Sequence, residues 1–218
     1  MQNDPIAESV MATLLARHPA LAACAAKITD AYRILRDSIA QGGTVFVCGN
    51  GGSRADADHI IGELSKGFLL KRKLPAELVE SMSEKLGEDA APLCDRLQMG
   101  MRAMLLDAHP ALSSAYANDV DPVMCYAQQL FVMGRENDVV IGLSTSGNAE
   151  NIRNVFKVAG GRGIKRILFT GNRHGKCEQY ADCVIDVPES ETYKIQELHL
   201  PTYHAICIML EEYFYAGK

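Results

Sequence analysis

Short apolar runs alternate with segments of helical spacing along most of the chain. Runs rich in β-branched and aromatic residues occupy positions 44–48, 138–143, 166–170 and 183–187, and they predict buried strands. A further strand is predicted at 111–116. Apolar residues spaced three or four apart predict helices between these strands. Because strands that alternate with helices form parallel sheets with right-handed crossovers, the pattern predicts an α/β protein.

Longer helical segments flank the strands. Residues 1–40 are predicted to be helical, with a break at Pro19. Another helix is predicted to follow Ser53, and a final helix covers about 192–215. The last helix contains Pro201, whose missing N–H removes one helical hydrogen bond, so we expect a continuous helix that is kinked there.

Two predicted strands run into polar loops that precede helices. Gly49, Asn50, Gly51, Gly52 and Ser53 form the first loop (residues 49–53), and Ser-Thr-Ser-Gly-Asn forms the second loop (residues 144–148). A helix N-terminus directs N–H groups at an anion, and hydroxyls add neutral donors. These residue types are also the usual N-caps, so capping alone explains either loop. Since both loops are predicted at the carboxyl edge of one sheet, together they favour a site for a phosphorylated small molecule.

Composition narrows the class of protein. The 218 residues carry a net charge of −5, and no basic run extends beyond 71–73, which argues against a nucleic-acid partner. The length supports one domain. Seven scattered cysteines without a C-x-x-C pair favour a reducing cytoplasm. The sequence shows no signal peptide or membrane-spanning run, so we expect a cytoplasmic protein without a membrane partner.

Two helices carry side chains that are suited to chemistry. His59 and Glu63 are four residues apart and share a helix face, while Gln196 and His204 are eight apart, about 80° around an α-helix. The four side chains would suit a divalent metal of the zinc type. Equally, Glu63 could be a general base and His204 a general acid without any metal. A solvated helix face and half-buried histidines are the ordinary alternatives.

These motifs, in their order along the chain, resemble the phosphoheptose isomerases of the sugar isomerase (SIS) superfamily. The resemblance rests on the two loops, the His59/Glu63 pair, Asn118-Asp119, and Gln196 with His204, and it covers about residues 44–210. It implies a flavodoxin-like three-layer α/β/α sandwich with a five-stranded parallel sheet. It also implies a homotetramer, or a homodimer, with sites between subunits, and conversion of sedoheptulose 7-phosphate to D-glycero-D-manno-heptose 7-phosphate.

The resemblance also implies roles for individual residues. Glu63 is the implied base and His204 the implied acid in an aldose–ketose isomerisation through an enediol. His59, Glu63, Gln196 and His204 would hold one zinc ion, and no nucleotide or organic cofactor is expected. The residues implied to bind substrate are Asn50, Gly51, Gly52, Ser53, Asn118, Asp119, Ser144, Thr145, Ser146, Asn148 and Gln196.

Three features depart from the family pattern. Ala149 stands where many members have a serine, and Tyr193-Lys194 stands where many have Asp-Arg. Residues 69–109 form a predicted helical insertion within a single SIS domain spanning 1–218. The alternative function is a non-catalytic SIS protein, either a sugar-phosphate sensor or a regulatory scaffold of the DnaA-binding type.

Overall fold

The computed structural model describes residues 4–107 and 109–217. Residues 1–3 of the predicted N-terminal helical region, residue 108 of the predicted insertion and residue 218 of the predicted domain lie outside the described residues. Within the described part of the chain, no helix is long and apolar enough to cross a membrane.

A parallel sheet forms the centre of the molecule, as the apolar runs predicted. Its strands in the described residues are β1 (Val45–Gly49), β2 (Ala103–Leu105), β3 (Val139–Leu143), β4 (Lys165–Gly171) and β5 (Cys183–Val187). They lie in the order β2-β1-β3-β4-β5, and every neighbouring pair is parallel. The register pairs Gly49 with Leu143, so β1 and β3 end at the same edge. The α/β class and the five-stranded parallel sheet are confirmed.

Helices cover both faces of the sheet. In the described residues they are α1 (Pro5–Arg17), α2 (Ala25–Ala40), α3 (Gly52–Ser65), α4 (Ala76–Leu86), α5 (Ala90–Cys94), α6 (Pro110–Asp119), α7 (Cys125–Met133), α8 (Glu150–Gly161) and α9 (Thr192–Tyr215). Val45 and Val47 face a core shared with α1, α2, α3 and α9. Phe46 and Cys48 face a core shared with α7 and α8. This alternation gives the three layers, because successive side chains of a strand point to opposite faces.

Three local predictions involve proline, and two of them are confirmed. The break at Pro19 is confirmed, since α1 ends at Arg17 and a short 3₁₀ segment precedes α2. The continuous last helix is also confirmed, because α9 runs from Thr192 to Tyr215 with Pro201 inside it. The predicted strand at 111–116 is wrong: these residues belong to α6, which has Pro110 in its first turn, where proline favours a helix.

The strand that was not predicted is β2, and it lies inside the segment predicted as an insertion. β2 contains only three residues, too few to show an alternating pattern. The preceding helices α4 and α5 are the additional helices expected in this segment. These helices are followed, within the range 69–109, by an edge strand of the sheet. That the segment is an insertion stays a prediction.

A buried ion pair fastens the end of α3 to α9. Arg72 Nε donates to Glu211 Oε1 at 2.8 Å, and both side chains are at most 1% exposed. The other two guanidinium nitrogens donate to the carbonyl oxygens of Leu64 (2.8 Å) and Glu63 (2.9 Å), which lie in the last turn of α3. Glu211 also accepts the backbone N–H groups of residues 68, 69 and 70. We call Arg72 and Glu211 the clamp.

Candidate active site

The first loop joins β1 to α3 at the carboxyl edge of the sheet. Gly51 has φ 55°, a conformation that favours glycine, and α3 begins at the next residue. A methyl group on Gly52 would lie 2.6 Å from Gln196 Nε2, so the absence of a side chain lets the Gln196 amide lie against the loop. Gln196 Nε2 also donates to Ser53 Oγ at 3.4 Å. The structure thus brings Gln196 of α9 to the first loop.

The second loop joins β3 to α8 at the same edge. Ser144 Oγ accepts the Ala149 N–H at 3.4 Å, and Ser146 Oγ accepts the Asn148 N–H at 3.2 Å. Part of the loop therefore makes local capping contacts. Within the described residues, no group hydrogen-bonds to the Thr145 hydroxyl, and α8 starts with no side-chain cap on its N-cap residue, Ala149. Free donors at a helix N-terminus are suited to binding an anion.

A reciprocal amide pair connects the first loop to the first turn of α8, which follows the second loop. Asn50 Nδ2 donates to Asn151 Oδ1 at 3.0 Å, and Asn151 Nδ2 donates to Asn50 Oδ1 at 2.8 Å. The Tyr126 hydroxyl supports the same corner by donating to the Gly49 carbonyl at 3.1 Å. Burial raises the pKa of Tyr126 to about 12, so this hydroxyl stays a donor at neutral pH. The first loop is consequently held against the start of α8, next to the second loop, and we call this region the polar surface of the loops.

Below the first loop, side chains of α3 and α9 come together. His59 Nε2 lies 3.1 Å from Glu63 Oε1, as expected for residues one helical turn apart. The His204 ring lies edge-on to the His59 ring, with centroids 5.0 Å apart. Glu63 is buried, whereas the His59 side chain is 42% exposed. The predicted base, Glu63, and the predicted acid, His204, therefore both lie against His59. We call His59, Glu63 and His204 the reactive cluster.

His204 is held among aromatic rings. The Tyr203 and Phe68 rings lie 5.0 and 5.3 Å from it, and its Nε2 is buried without a hydrogen-bond partner among the described residues. Burial, together with the nearby His59 and Arg17, lowers the pKa of His204 and outweighs the opposite effect of Glu63. The neutral imidazole is therefore favoured at neutral pH, and its buried nitrogen is available to a ligand.

Two residues that the sequence interpretation missed support His59. The Tyr203 hydroxyl lies 3.0 Å from His59 Nδ1 and 3.2 Å from Asp56 Oδ1. Tyr203 is buried, and its pKa is raised mainly by burial and secondly by Asp56. Burial also raises the pKa of Asp56, and the Tyr203 hydrogen bond opposes that shift. The i,i+3 spacing of Asp56 and His59 was visible in the sequence, but their link through α9 was not.

The structure does not connect Asn118 and Asp119 to this surface. They lie at the exposed end of α6, where Asn118 Nδ2 donates to Asp119 Oδ1 at 2.8 Å, so their role in binding stays a prediction. Asp107 instead follows β2 at the carboxyl edge. It accepts Arg54 Nε at 2.6 Å, and Arg54 lies in the first turn of α3 beside the first loop. Asp107 escaped notice because β2 itself was not predicted.

The fit of the predicted zinc site is incomplete in a single chain. Two imidazoles, a carboxylate and an amide are suitable donor types, and the unpartnered Nε2 of His204 suits a metal ligand. However, the described residues contain no group of three or more His, Cys, Asp or Glu side chains that could hold a metal ion.

His204 also borders a cavity of about 420 Å³ between α1 and α9. Arg17, Leu69 and Leu200 line it, but Glu63, His59 and both loops do not. Leu69 and Leu200 are exposed. The cavity is therefore a mainly apolar groove behind the reactive cluster, and it is separate from the polar surface of the loops.

Comparison with known proteins gives consistent matches. The SIS domain family matches residues 11–91 and 125–211. The phosphoheptose isomerase of Burkholderia pseudomallei (strain K96243) is 36% identical over 205 residues, which cover 94% of this chain and 89% of the relative. That of Akkermansia muciniphila is 32% identical over 91% of both chains.

Solved structures agree with these relatives. The structure of phosphoheptose isomerase GmhA from Neisseria gonorrhoeae matches with a TM-score of 0.71 at 26% identity, over 92% of this chain and 94% of that one. A phosphoheptose isomerase from Francisella tularensis matches with a TM-score of 0.74 over 92% of this chain and 93% of that one; at 24% identity this likeness supports the fold alone.

Proposed function

Because this chain belongs to the phosphoheptose isomerase family of SIS domain proteins, we propose that it interconverts sedoheptulose 7-phosphate and D-glycero-D-manno-heptose 7-phosphate. Family membership makes it an enzyme and a sugar-phosphate isomerase. The choice of a heptose, the residue roles and the assembly described below belong to the proposal.

The second loop is the proposed phosphate site. Ser144, Thr145 and Ser146 bring hydroxyls to the N-terminus of α8, where the helix dipole favours negative charge. The phosphate supplies binding energy far from the reacting carbons, and that energy positions C1 and C2. The sugar would then extend over the first loop, past Asn50, Gly51 and Gln196.

Glu63 and His204 are the proposed proton-transfer groups. Glu63 removes the proton from the carbon next to the carbonyl, giving an enediol, and returns it to the neighbouring carbon. His204, as a neutral imidazole, moves protons between the two oxygens and assists ring opening. The supporting observation is that Glu63 of α3 and His204 of α9 both lie against His59, while Gln196 of α9 lies against the first loop. A scaffold would have no need of this convergence.

A turnover assay tests the proposed function. Purified protein is mixed with sedoheptulose 7-phosphate, and formation of the aldose is followed by NMR, with a panel of other ketose phosphates in parallel. We expect turnover of the heptose and weaker turnover of shorter sugars. Binding of the phosphosugars without turnover of any, with zinc added, would contradict the enzyme assignment of the site and favour the sensor or scaffold.

Zinc binding remains part of the proposal. His59, Glu63, Gln196 and His204 would hold the ion, and a bound metal would polarise the substrate carbonyl. Elemental analysis of protein purified without a His-tag tests this, and we expect close to one zinc per chain. An active protein whose zinc content stays near zero after exposure to zinc would contradict zinc binding. His59 would then be a residue of the pocket and not a metal ligand.

We further propose a homotetramer, or a homodimer, that covers the groove between α1 and α9. The exposed Leu69 and Leu200 line this groove, and apolar surface of this kind is typical of subunit contacts. His204 borders the groove, so a neighbouring subunit there would lie close to the reactive cluster. Light scattering after gel filtration measures the assembly, and a monomer at all concentrations would contradict it.

A further inference from the structure

His199 is a buried histidine of α9 that the proposed reaction does not use. It is 0% exposed, and its ring lies edge-on to the ring of Phe169 in β4. Its Nε2 lies 3.3 Å from the carbonyl oxygen of Thr170. A carbonyl oxygen can only accept a hydrogen bond, so Nε2 carries a proton and donates it. The other ring nitrogen, Nδ1, is buried without a partner among the described residues, so the ring makes this one hydrogen bond there.

The peptide group that His199 binds is also bonded to the second loop. The Thr170 carbonyl and the Gly171 N–H belong to one peptide group, and this N–H donates to the Thr145 carbonyl at 3.3 Å. The imidazole, the peptide group and the loop carbonyl therefore form one chain of hydrogen bonds. In such a chain each bond polarises and strengthens the next. The chain links α9 directly to the loop that is proposed to bind phosphate.

The Thr145 carbonyl belongs to the central peptide group of a turn. The Gly147 N–H donates to the Ser144 carbonyl at 2.9 Å, which closes a β-turn around Thr145 and Ser146. That bond does not fix the central peptide group, because turns of types I and II differ by a flip of this group. The Gly171 N–H fixes it by binding the Thr145 carbonyl. Since N–H and C=O point in opposite directions in a trans peptide, the Ser146 N–H points away from Gly171, and no backbone carbonyl of the described residues accepts it.

We propose that His199 is a positioning residue: by binding the Thr170 carbonyl, it holds the second loop so that the Ser146 N–H is directed at the phosphate. This inference rests on the proposed function, which places the phosphate at that loop. It gives α9 a second role, because the same helix carries Gln196 and His204. The phosphate loop and the proposed acid would thereby be held by one helix.

Two substitutions of His199 separate the hydrogen bond from the packing of the ring. Gln and Met side chains are unbranched and of nearly equal length, but only Gln has a donor for the Thr170 carbonyl. With His199→Met we expect the Kd of inorganic phosphate and the KM for sedoheptulose 7-phosphate to rise about threefold to tenfold, as for one lost hydrogen bond. kcat should change little, because the reactive cluster is untouched. His199→Gln should restore Kd and KM to nearly native values.

Gln129→Met is the matched control, because it removes the same kind of hydrogen bond from another strand. Gln129 is 1% exposed, and its Nε2 donates to the Leu105 carbonyl of β2 at 3.3 Å, the same distance as in the His199 contact. In the sheet β2 pairs with β1 and is not a neighbour of β3, which leads into the second loop. This variant should lose stability and keep the native Kd of inorganic phosphate.

The amide proton of Gly171 provides a readout that does not depend on turnover or on phosphate. Loss of the bond to the Thr170 carbonyl removes polarisation from the same peptide group. We therefore expect this proton to shift upfield in NMR spectra of His199→Met relative to His199→Gln. Comparing these two variants is necessary because both lack the imidazole ring and its effect on nearby shifts.

The two His199 variants can also overturn the proposal. Equal Kd values for inorganic phosphate in His199→Met and His199→Gln would do so, whether both values are native or both are raised. If His199→Met does not fold, His199→Leu replaces it as the variant without a donor. A native protein that turns over no sugar phosphate would refute the proposed function, and the Gly171 shift would still decide whether His199 acts on the second loop.

Discussion

Two polar clusters join the same pair of helices, α3 and α9, and they differ in how completely their groups are paired. In the clamp, all three guanidinium nitrogens of Arg72 donate, and both oxygens of Glu211 accept. In the reactive cluster, His204 Nε2 has no partner among the described residues and His59 is partly exposed. Buried polar groups are normally paired, so the unpaired one is the group that a ligand can engage. The clamp maintains the fold, and the reactive cluster is left open for chemistry.

Glu63 belongs to both regions. Its carbonyl oxygen accepts Arg72 Nη2 at 2.9 Å, while its carboxylate contacts His59. The clamp also binds the backbone of residue 68, whose Phe68 ring lies against His204. The clamp therefore fixes the backbone that carries the side chains of the reactive cluster. Substitutions in the two regions should separate stability from activity.

The largest expected effect is on turnover, from Glu63→Gln. Loss of a general base lowers the rate by about 10²–10⁴-fold. The amide has the same shape and can still contact His59, so we expect the free energy of unfolding to change by less than about 1 kcal/mol. Turnover of sedoheptulose 7-phosphate and urea denaturation measure the two quantities. Glu84→Gln on the exposed part of α4 is the control, and native turnover in Glu63→Gln would contradict the assigned base.

The largest expected effect on stability comes from Arg72→Met. This change leaves Glu211 as a buried charge without its cation, which costs about 3–5 kcal/mol. Arg33→Met is the matched control, because Arg33 pairs with Asp30 on a partly exposed surface where an ion pair is worth at most about 1 kcal/mol. Urea denaturation measures both variants. Equal losses for the two would show that the clamp has no special role.

The reactive cluster was easier to predict from the sequence than the clamp. The i,i+4 spacing of His59 and Glu63 and the polar loops were visible, because they depend on neighbouring residues. Arg72 and Glu211 are 139 residues apart, and Arg72 lies in a short basic run although its side chain is buried. Pairing over that distance is decided by how α9 packs on α3, which no local pattern records. The clamp could therefore not be predicted.

The edge strand β2 was not predicted, and a strand was wrongly predicted at 111–116, for a related reason. The short β2 lies at an edge, where one neighbouring strand is enough to hold it, so it needs little sequence signal of its own. Because β2 was not predicted, Asp107 at its carboxyl end was missed. Asn118 and Asp119 were predicted from the family resemblance and not from the strand at 111–116. The central strands β1, β3 and β4 were predicted correctly because they are buried on both faces, which requires continuous apolar runs.

Acid should weaken the fold in two separate steps. Burial lowers the pKa of His199 from 6.5 to about 4, so between these values the unfolded chain binds more protons than the folded one. Stability is therefore lost as the pH falls through this window, by about 3 kcal/mol at pH 4. The clamp responds later: the N–H groups of residues 68–70 and Arg72 outweigh burial and lower the pKa of Glu211, so its contribution is lost below 4.5.

His199→Gln separates the two steps. Its amide can replace the contact of the His199 ring with the Thr170 carbonyl, 3.3 Å away, but it does not titrate. We expect the loss of stability between pH 6.5 and 4 to be smaller in this variant. The loss that remains comes from His204, whose pKa is also lowered. The loss at lower pH should remain. Urea denaturation at a series of pH values measures this, and an unchanged slope above pH 4.5 would contradict the assignment to His199.

The smallest expected effects come from Ala149→Ser, which adds a hydroxyl next to the second loop and tests that loop as the phosphate site. Ala149 is the N-cap of α8 and makes no side-chain cap, so Ala149→Ser should stabilise the protein by about 1 kcal/mol. If the loop binds phosphate, the added hydroxyl should also tighten binding of inorganic phosphate severalfold, since one hydrogen bond is worth about 1 kcal/mol. Thermal unfolding with increasing phosphate separates the two gains, because only the second depends on ligand concentration. Ala91→Ser, on the exposed side of α5, should show neither gain. A gain in stability without a gain in phosphate affinity would mean that the hydroxyls at this helix end serve as caps, and that the phosphate binds elsewhere.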